Sequence, residues 1–296
     1  MYKDILVNLS GRAERDESLL TTTCKLAAAH GGRVYAMKDD VSVSIAALPY
    51  GHPVGAGVGT AYLASELNRR RVESQERVRA WFSDFVDRGR RDGTASMPNT
   101  VAWLSADGLP HSALDEIWRR MDLMAFSQPE DGGTGTYTFE RAPEVAIRSG
   151  RPVLLCPAEA PPTLGKRVLV AWNGSRQAAR ATHDALPLLT RADEVIVATI
   201  DASATEAAAE TVAADSPDVL PDMAAHLEAH GVPARALHVP RNGQSAAEQL
   251  CSVAREEDVD LLVMGVYGHS RLRELVFGGT TREILAHPVV TTLLSH

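Results

Sequence analysis

The sequence predicts an α/β protein built from two tandem halves, each a parallel sheet covered by helices on both faces, and two observations carry that expectation. Short apolar runs alternate along the whole chain with stretches of helical periodicity, a pattern that calls for parallel strands joined by helical crossovers. Midway, the pattern starts again. Arg167-Val168-Leu169-Val170-Ala171-Trp172-Asn173 matches Asp4-Ile5-Leu6-Val7-Asn8-Leu9-Ser10, Asp260 to Gly265 matches Asp122 to Ser127, and Pro288 to Leu294 matches Pro152 to Cys156, so the chain reads as a tandem duplication.

In the first half, Asp4 to Ser10 reads as a strand ending in polar residues, Glu17 to His30 as a helix stopped by Gly31-Gly32, and Arg33 to Met37 as a second strand. Asp40 to Thr60 carries Pro49, Gly51, Pro53, Gly55, Gly57 and Gly59, too many breakers for regular structure. A lid, an interface, disorder and a plain insertion all stay open for that loop. The long helix after it has Val78, Trp81, Phe82 and Phe85 at i, i+3, i+4 and i+7, a core stripe and not a cofactor box. Thr100 to Leu104 is expected as the third strand, His111 to Arg119 as a short helix, Asp122 to Phe126 as the fourth strand, Glu144 to Arg148 as a helical piece and Pro152 to Pro157 as the fifth strand.

Pro157 to Pro162 has the composition of a linker, which places the two domains at 1–158 and 164–296. The second domain then runs through a strand at Arg167 to Asn173, a helix at Gln177 to Leu189, a strand at Val195 to Ile200, a helix at Met223 to His230, and a strand at Ala236 to Val239. A helix at Ser245 to Glu256, a strand at Asp260 to Met264 and a last strand from Pro288 to Leu294 complete it.

Bulk properties narrow the function. A length of 296 residues suits two domains of about 150, and 45% hydrophobic with 23% charged residues is a globular composition. No apolar run approaches the ~20 residues that cross a bilayer, and Met1 to Val7 enters a strand without the organisation of a signal peptide, so a cytoplasmic protein without membrane contact is expected. A net charge of −8 argues against a nucleic-acid footprint, and Arg69-Arg70-Arg71 reads as the solvated face of a helix. Cys24, Cys156 and Cys251 stand apart, with no CxxC and no histidine at ligand spacing, which favours buried thiols over a disulfide or a zinc site.

The chemistry concentrates at Gly265-Val266-Tyr267-Gly268-His269-Ser270, followed by an apolar turn and Gly278-Gly279-Thr280-Thr281. An apolar strand precedes it and a helical start, Arg282 to Leu285, follows. A glycine-rich loop between strand and helix turns N–H groups toward one point, and the helix N-terminus adds partial positive charge there, so an anion is the natural occupant. Glycine serves by reaching φ > 0 and by letting backbone approach a phosphate. In an open parallel sheet the ligand crevice lies outside the carboxyl ends of the strands where strand order reverses, which brings Asn173 and Gly265 together.

The spacing Gly265-x2-Gly268-x9-Gly278 resembles the nucleotide loop of the universal stress protein family, and the likeness extends over both halves, most closely from Lys166 to His296. It implies a five-stranded parallel sheet of order 3-2-1-4-5 in each half and pairing of the two halves through their last strands; a further association of two chains as a homodimer stays open. It also implies an ATP-like adenine nucleotide, with Mg as its companion. The implied ligand residues are Ala171, Trp172, Asn173, Met264, Gly265, Gly268, His269, Ser270, Gly278, Gly279, Thr280 and Thr281. The family's Ser/Thr after the third glycine is here Gly279, and its Asp at the end of the first strand is here Asn173, with Ser10 in the first half. Met264 and Trp172 are placed to pack on an adenine face or in the core.

The first half presents Ser127-Gln128-Pro129-Glu130 at the position of Gly265 to Gly268: Pro129 has no N–H, and Glu130 sets an acid where an anion would sit. Its glycines, Asp131-Gly132-Gly133-Thr134-Gly135, neither restore the spacing nor lead directly into a helix, so one site is expected, in the second half. Three functions stay open: a stress-response protein that binds an adenine nucleotide without major turnover, a nucleotide-free structural or interaction protein, and a slow ATPase. No base and nucleophile stand at catalytic spacing near the loop, no P-loop G-x4-GK[ST] is present, and Asn173-Gly174-Ser175 is not the SGGxDS-type loop of adenylating enzymes.

Overall fold

The computed structural model describes residues 1–38, 56–93, 97–105, 109, 111–128, 136–159, 161–200, 222–240, 242–266, 279–286 and 288–296. In the first half the strands are β1 (Asp4–Asn8), β2 (Arg33–Met37), β3 (Val101–Trp103), β4 (Leu123–Ser127) and β5 (Val153–Cys156), with helices α1 (Ala13–His30), α2 (Ala56–Arg91), α3 (His111–Arg120) and α4 (Thr136–Ser149). In the second they are β6 (Arg167–Ala171), β7 (Glu194–Ile200), β8 (Ala234–Val239), β9 (Leu261–Gly265) and β10 (Thr291–Ser295), with α5 (Arg176–Leu189), α6 (Met223–Ala229), α7 (Ala246–Glu256) and α8 (Gly279–Ala286).

The strands form one sheet of order β3-β2-β1-β4-β5-β10-β9-β6-β7-β8. Each half therefore keeps the order 3-2-1-4-5, and its internal pairings are parallel. The halves join where β5 and β10 pair antiparallel, with Leu154 opposite Leu293. What the resemblance implied as two sheets paired by their last strands is thus a single continuous ten-stranded sheet.

The strands are apolar throughout because both of their faces are covered. Leu261, Val263 and Leu293 belong to the core layer shared with α1, α2, α5 and α6, whereas Leu262, Met264 and Leu294 belong to the layer shared with α3, α4, α7 and α8. Polar residues fix the ends of the helices. The Ser175 hydroxyl accepts from the N–H of Ala178 at the start of α5, Ser245 and Glu248 form a reciprocal capping box on α7, and Gly31 ends α1 in the left-handed region with φ 58°.

Two expectations need correction. Helix α2 begins at Ala56, so the last residues of the predicted 40–60 loop are helical despite Gly57 and Gly59; residues 39–55 lie outside the described residues. Each glycine costs a helix about 1 kcal/mol relative to alanine, but extending a helix already anchored by buried Val78, Phe82 and Val86 needs no new nucleus. Helix α4 begins at Thr136, directly after Gly135 and well ahead of Glu144, with Pro143 inside it, so the glycine stretch of the first half does lead into a helix. Proline withholds one hydrogen bond without ending the helix there.

Polar contacts reinforce the seam. The Tyr2 hydroxyl donates to the Asp184 carbonyl at 2.6 Å, the Ser295 hydroxyl to the Asp184 carboxylate at 2.9 Å, and Arg191 to the Ala29 carbonyl at 2.7 Å. Cys24 and Cys156 are buried free thiols, each pushed up to about 12 by burial, and Cys251 is half-buried. Arg69 and Arg70 are exposed and pair with Glu66 along α2, the solvated face expected of them. Among the described residues, no helix is long and apolar enough to cross a membrane, and no His, Cys, Asp or Glu cluster is arranged to hold a metal ion.

Candidate functional site: the crevice between β6 and β9

Strand β6 lies between β9 and β7, and the chain leaves it through α5 on one face but returns to β9 through α7 on the other. The carboxyl ends of β6 and β9 therefore flank the switch point of the second half. Asn173 follows β6 by two residues and Gly265 ends β9, so the structure brings these two expected residues to the same edge. Gly268, His269, Ser270 and Gly278 lie outside the described residues.

Gly265 has a structural reason of its own. Its φ is not in the left-handed region. A Cβ added there would lie 2.5 Å from the carbonyl carbon of Gln177 and 2.6 Å from the amide nitrogen of Ala178, so the first turn of α5 rests directly on the strand end. Glycine is required at this position for the close approach of a helix, not for backbone twist. The next residue, Val266, is fully buried and held twice: its N–H donates to the Ser295 carbonyl at 2.8 Å, and its carbonyl lies 2.9 Å from His296 Nδ1. Because a carbonyl only accepts, Nδ1 carries the proton there. The loop thus departs from a point fixed by the end of β10, and His296, which the motif does not include, belongs to that anchor.

Asn173 is exposed, and its Oδ1 accepts from the N–H of Ser175 at 3.1 Å. That turn engages one lone pair of the amide oxygen, and Nδ2, a donor, has no partner among the described residues. An aspartate in the same place would present only acceptors. Trp172 packs half-buried against the α5 side of the sheet, whereas Met264, 4% exposed, belongs to the opposite core layer with Ala171 beside it. Trp172 and Met264 are core residues on opposite faces and do not enclose a base between them.

Gly279, Thr280 and Thr281 open α8. Gly279 is exposed with open space where a Cβ would stand, and Thr281 is 4% exposed. The first turn of α8 carries N–H groups that no helical carbonyl can take, the usual basis of an anion site. Its position is set by the Ser245 hydroxyl, the N-cap of α7, which donates to Glu283 at 2.7 Å.

The corresponding edge of the first half is filled by the chain itself. Asp16 is 1% exposed; its carboxylate accepts from the N–H of Ser10 at 2.7 Å, the Ser10 hydroxyl at 2.8 Å and the N–H of Gly11 at 2.8 Å. Burial raises its carboxyl above the ordinary range, against the pull of those bonds and of nearby Lys38. The buried positions of α1 (Asp16, Leu19, Leu20, Thr23) repeat the spacing of those of α5 (Ala178, Ala181, Thr182, Ala185), so Asp16 stands where the second half has Ala178. Ser127, in the place of Gly265, is buried, and its hydroxyl has no partner among the described residues. Glu130 and Pro129, on which the sequence argument rested, lie outside the described residues. Asp16 carried only a weak signal in the sequence, one acid among the charges from Arg12 to Glu17, and its inward aim appears only with the phase of α1.

Two doubly wound α/β halves in one sheet, with an internal carboxylate at the switch point of the first and Asn173 and Gly265 at that of the second, define the class of this protein. Residues 165–296 match the universal stress protein family. Its fold is similar to that of a universal stress protein from Archaeoglobus fulgidus DSM 4304, with TM-score 0.56 and 12% identity over 98% of this chain and 95% of that one. A functionally unknown protein from Pseudomonas aeruginosa PAO1 is similar with TM-score 0.50 and 16% identity over 99% and 92%. At such identities the likeness concerns the fold alone. No curated protein matches the sequence.

Proposed function

We propose that the protein is a stress-response protein that binds one adenine nucleotide, ATP or a close relative, in the crevice of the second half, without major turnover. The observation that carries this reading is the contrast between the halves. At one switch point a buried carboxylate already occupies the N–H groups of Ser10 and Gly11; at the other, α5 offers Ala178 at that level, Asn173 carries an amide donor, and α8 begins at exposed Gly279. Donors that no carboxylate among the described residues takes up suit phosphate. Gly265, Gly279, Thr280 and Thr281 would hold the phosphates together with Gly268, His269, Ser270 and Gly278, and Asn173 the nucleoside. Mg would enter with the phosphates.

In the same reading, 1–158 is a degenerate domain and 164–296 the binding one. The chain works in the cytoplasm, two chains pair as a homodimer, and any ATP hydrolysis is slow. One observation favours a nucleotide-free interaction protein instead: the Asn173 carbonyl is already engaged by Ser175. Native mass spectrometry of gently purified full chain, alone and with ATP, ADP, AMP and GTP, tests the choice. A bound mass equal to one adenine nucleotide is expected. No adduct with any of the four would overturn the binding reading.

A further inference from the structure

The first turn of α5 holds a polar side chain that the glycine motif does not include. Gln177 is 7% exposed and lies against Gly265, its Cβ 2.7 Å from where a Gly265 Cβ would stand. Among the described residues its carboxamide has no hydrogen-bond partner, yet it is not sealed from solvent as Gln249 Oε1 is. A carboxamide so nearly buried, with neither a partner nor full access to water, gives up hydrogen bonds that a ligand can restore. Its surroundings indicate which ligand group: it stands on the N-terminal turn of a 14-residue helix capped by Ser175, where partial positive charge favours an anion, and beside the first glycine of the loop. In the first half the residue directly before Asp16, in the place of Gln177, is Arg15, which donates to the Gln128 carbonyl at 2.9 Å, so no such amide is offered there.

We propose that Gln177 contacts the ligand of this crevice, donating its Nε2–H to a phosphate oxygen. The inference rests on the nucleotide reading above. Its test is calorimetric titration of the full-length chain with ATP and, separately, with adenosine, for the wild type, Gln177→Met and Gln177→Glu. Methionine keeps the length of the side chain without its donor, and glutamate replaces the donor by a charge that repels phosphate. ATP affinity is expected to fall about tenfold in Gln177→Met, the effect of losing one hydrogen bond to a charged group, and further in Gln177→Glu, with adenosine affinity unchanged in both. Wild-type affinity for ATP in both variants would overturn the role of Gln177 alone. An equal loss for ATP and adenosine would also overturn it, by showing a purely structural part. A wild type that binds neither ligand would overturn the nucleotide reading and this inference with it.

Discussion

Asp16 holds Ser10 at two points, taking its backbone N–H at 2.7 Å and its hydroxyl at 2.8 Å on the same carboxylate oxygen. An anion is thus built into the first half at the place where the second half is open. Replacing it should cost stability and nothing else: Asp16→Ala is expected to lower the unfolding free energy by about 3 kcal/mol, since it leaves the buried donors of Ser10 and Gly11 without their acceptor. Urea denaturation reads the loss. Affinity for ATP should stay at the wild-type value, and a drop in affinity would tie Asp16 to the ligand site.

Gly265 and Gly279 should behave differently although both belong to the loop motif. A methyl group on Gly265 meets the backbone of α5, so Gly265→Ala is expected to destabilise by about 1–3 kcal/mol. Gly279→Ala meets no atom within 4 Å and should change stability by less than about 0.5 kcal/mol. Thermal unfolding of the two variants checks the contrast, and equal shifts would show that α5 does not rest on Gly265.

His30 gives the seam a pH dependence. It is 8% exposed, stacked edge-on to Tyr2, and lowered to about 4 by burial, assisted by Arg191, the N-terminal ammonium and Lys3. Its folded value lies below the ordinary 6.5, so the unfolded chain binds the extra proton between these values. The contribution of neutral His30 is therefore complete above pH 6.5 and is lost as pH falls toward 4. Asp16, with a raised carboxyl, contributes in the opposite sense, which makes the difference between wild type and His30→Gln the informative quantity. Denaturation at several pH values should show a shallower loss of stability below pH 6.5 in His30→Gln. Parallel curves would contradict the assignment.

Leu293 and Leu154 face each other across the antiparallel seam, and both are fully buried. Leu293→Asp should cost about 4 kcal/mol or more, the penalty of an unpaired charge in a dry layer. Urea denaturation measures it, and a loss under 1 kcal/mol would mean that the seam is not packed as described.

Most of this architecture was legible because fully buried parallel strands leave an unmistakable apolar run: Leu261 to Met264 and Val168 to Val170 identify themselves, and so does their repetition of Leu123 to Phe126 and Ile5 to Val7. Helix starts were less legible. Gly57 and Gly59 read as breakers, yet α2 runs through them because the helix is anchored far downstream by buried Val78, Phe82 and Val86. At the site, the sequence located Asn173 and Gly265 but not their partners. Whether Asn173 donates or accepts depends on Ser175 N–H, whether Gly265 serves ligand or helix depends on the path of α5, and neither Asp16 nor Gln177 differs in sequence from an ordinary polar residue of a first helical turn.

The central claim is that the chain binds one nucleotide, in its second half. Titrating the full-length protein with ATP in a calorimeter, for the wild type and for Gly278→Val, tests it most directly. One site per chain is expected, with the heat abolished in Gly278→Val while its unfolding profile stays that of the wild type. Two equivalent sites per chain, no heat with the wild type, or a single site untouched by Gly278→Val would contradict the account.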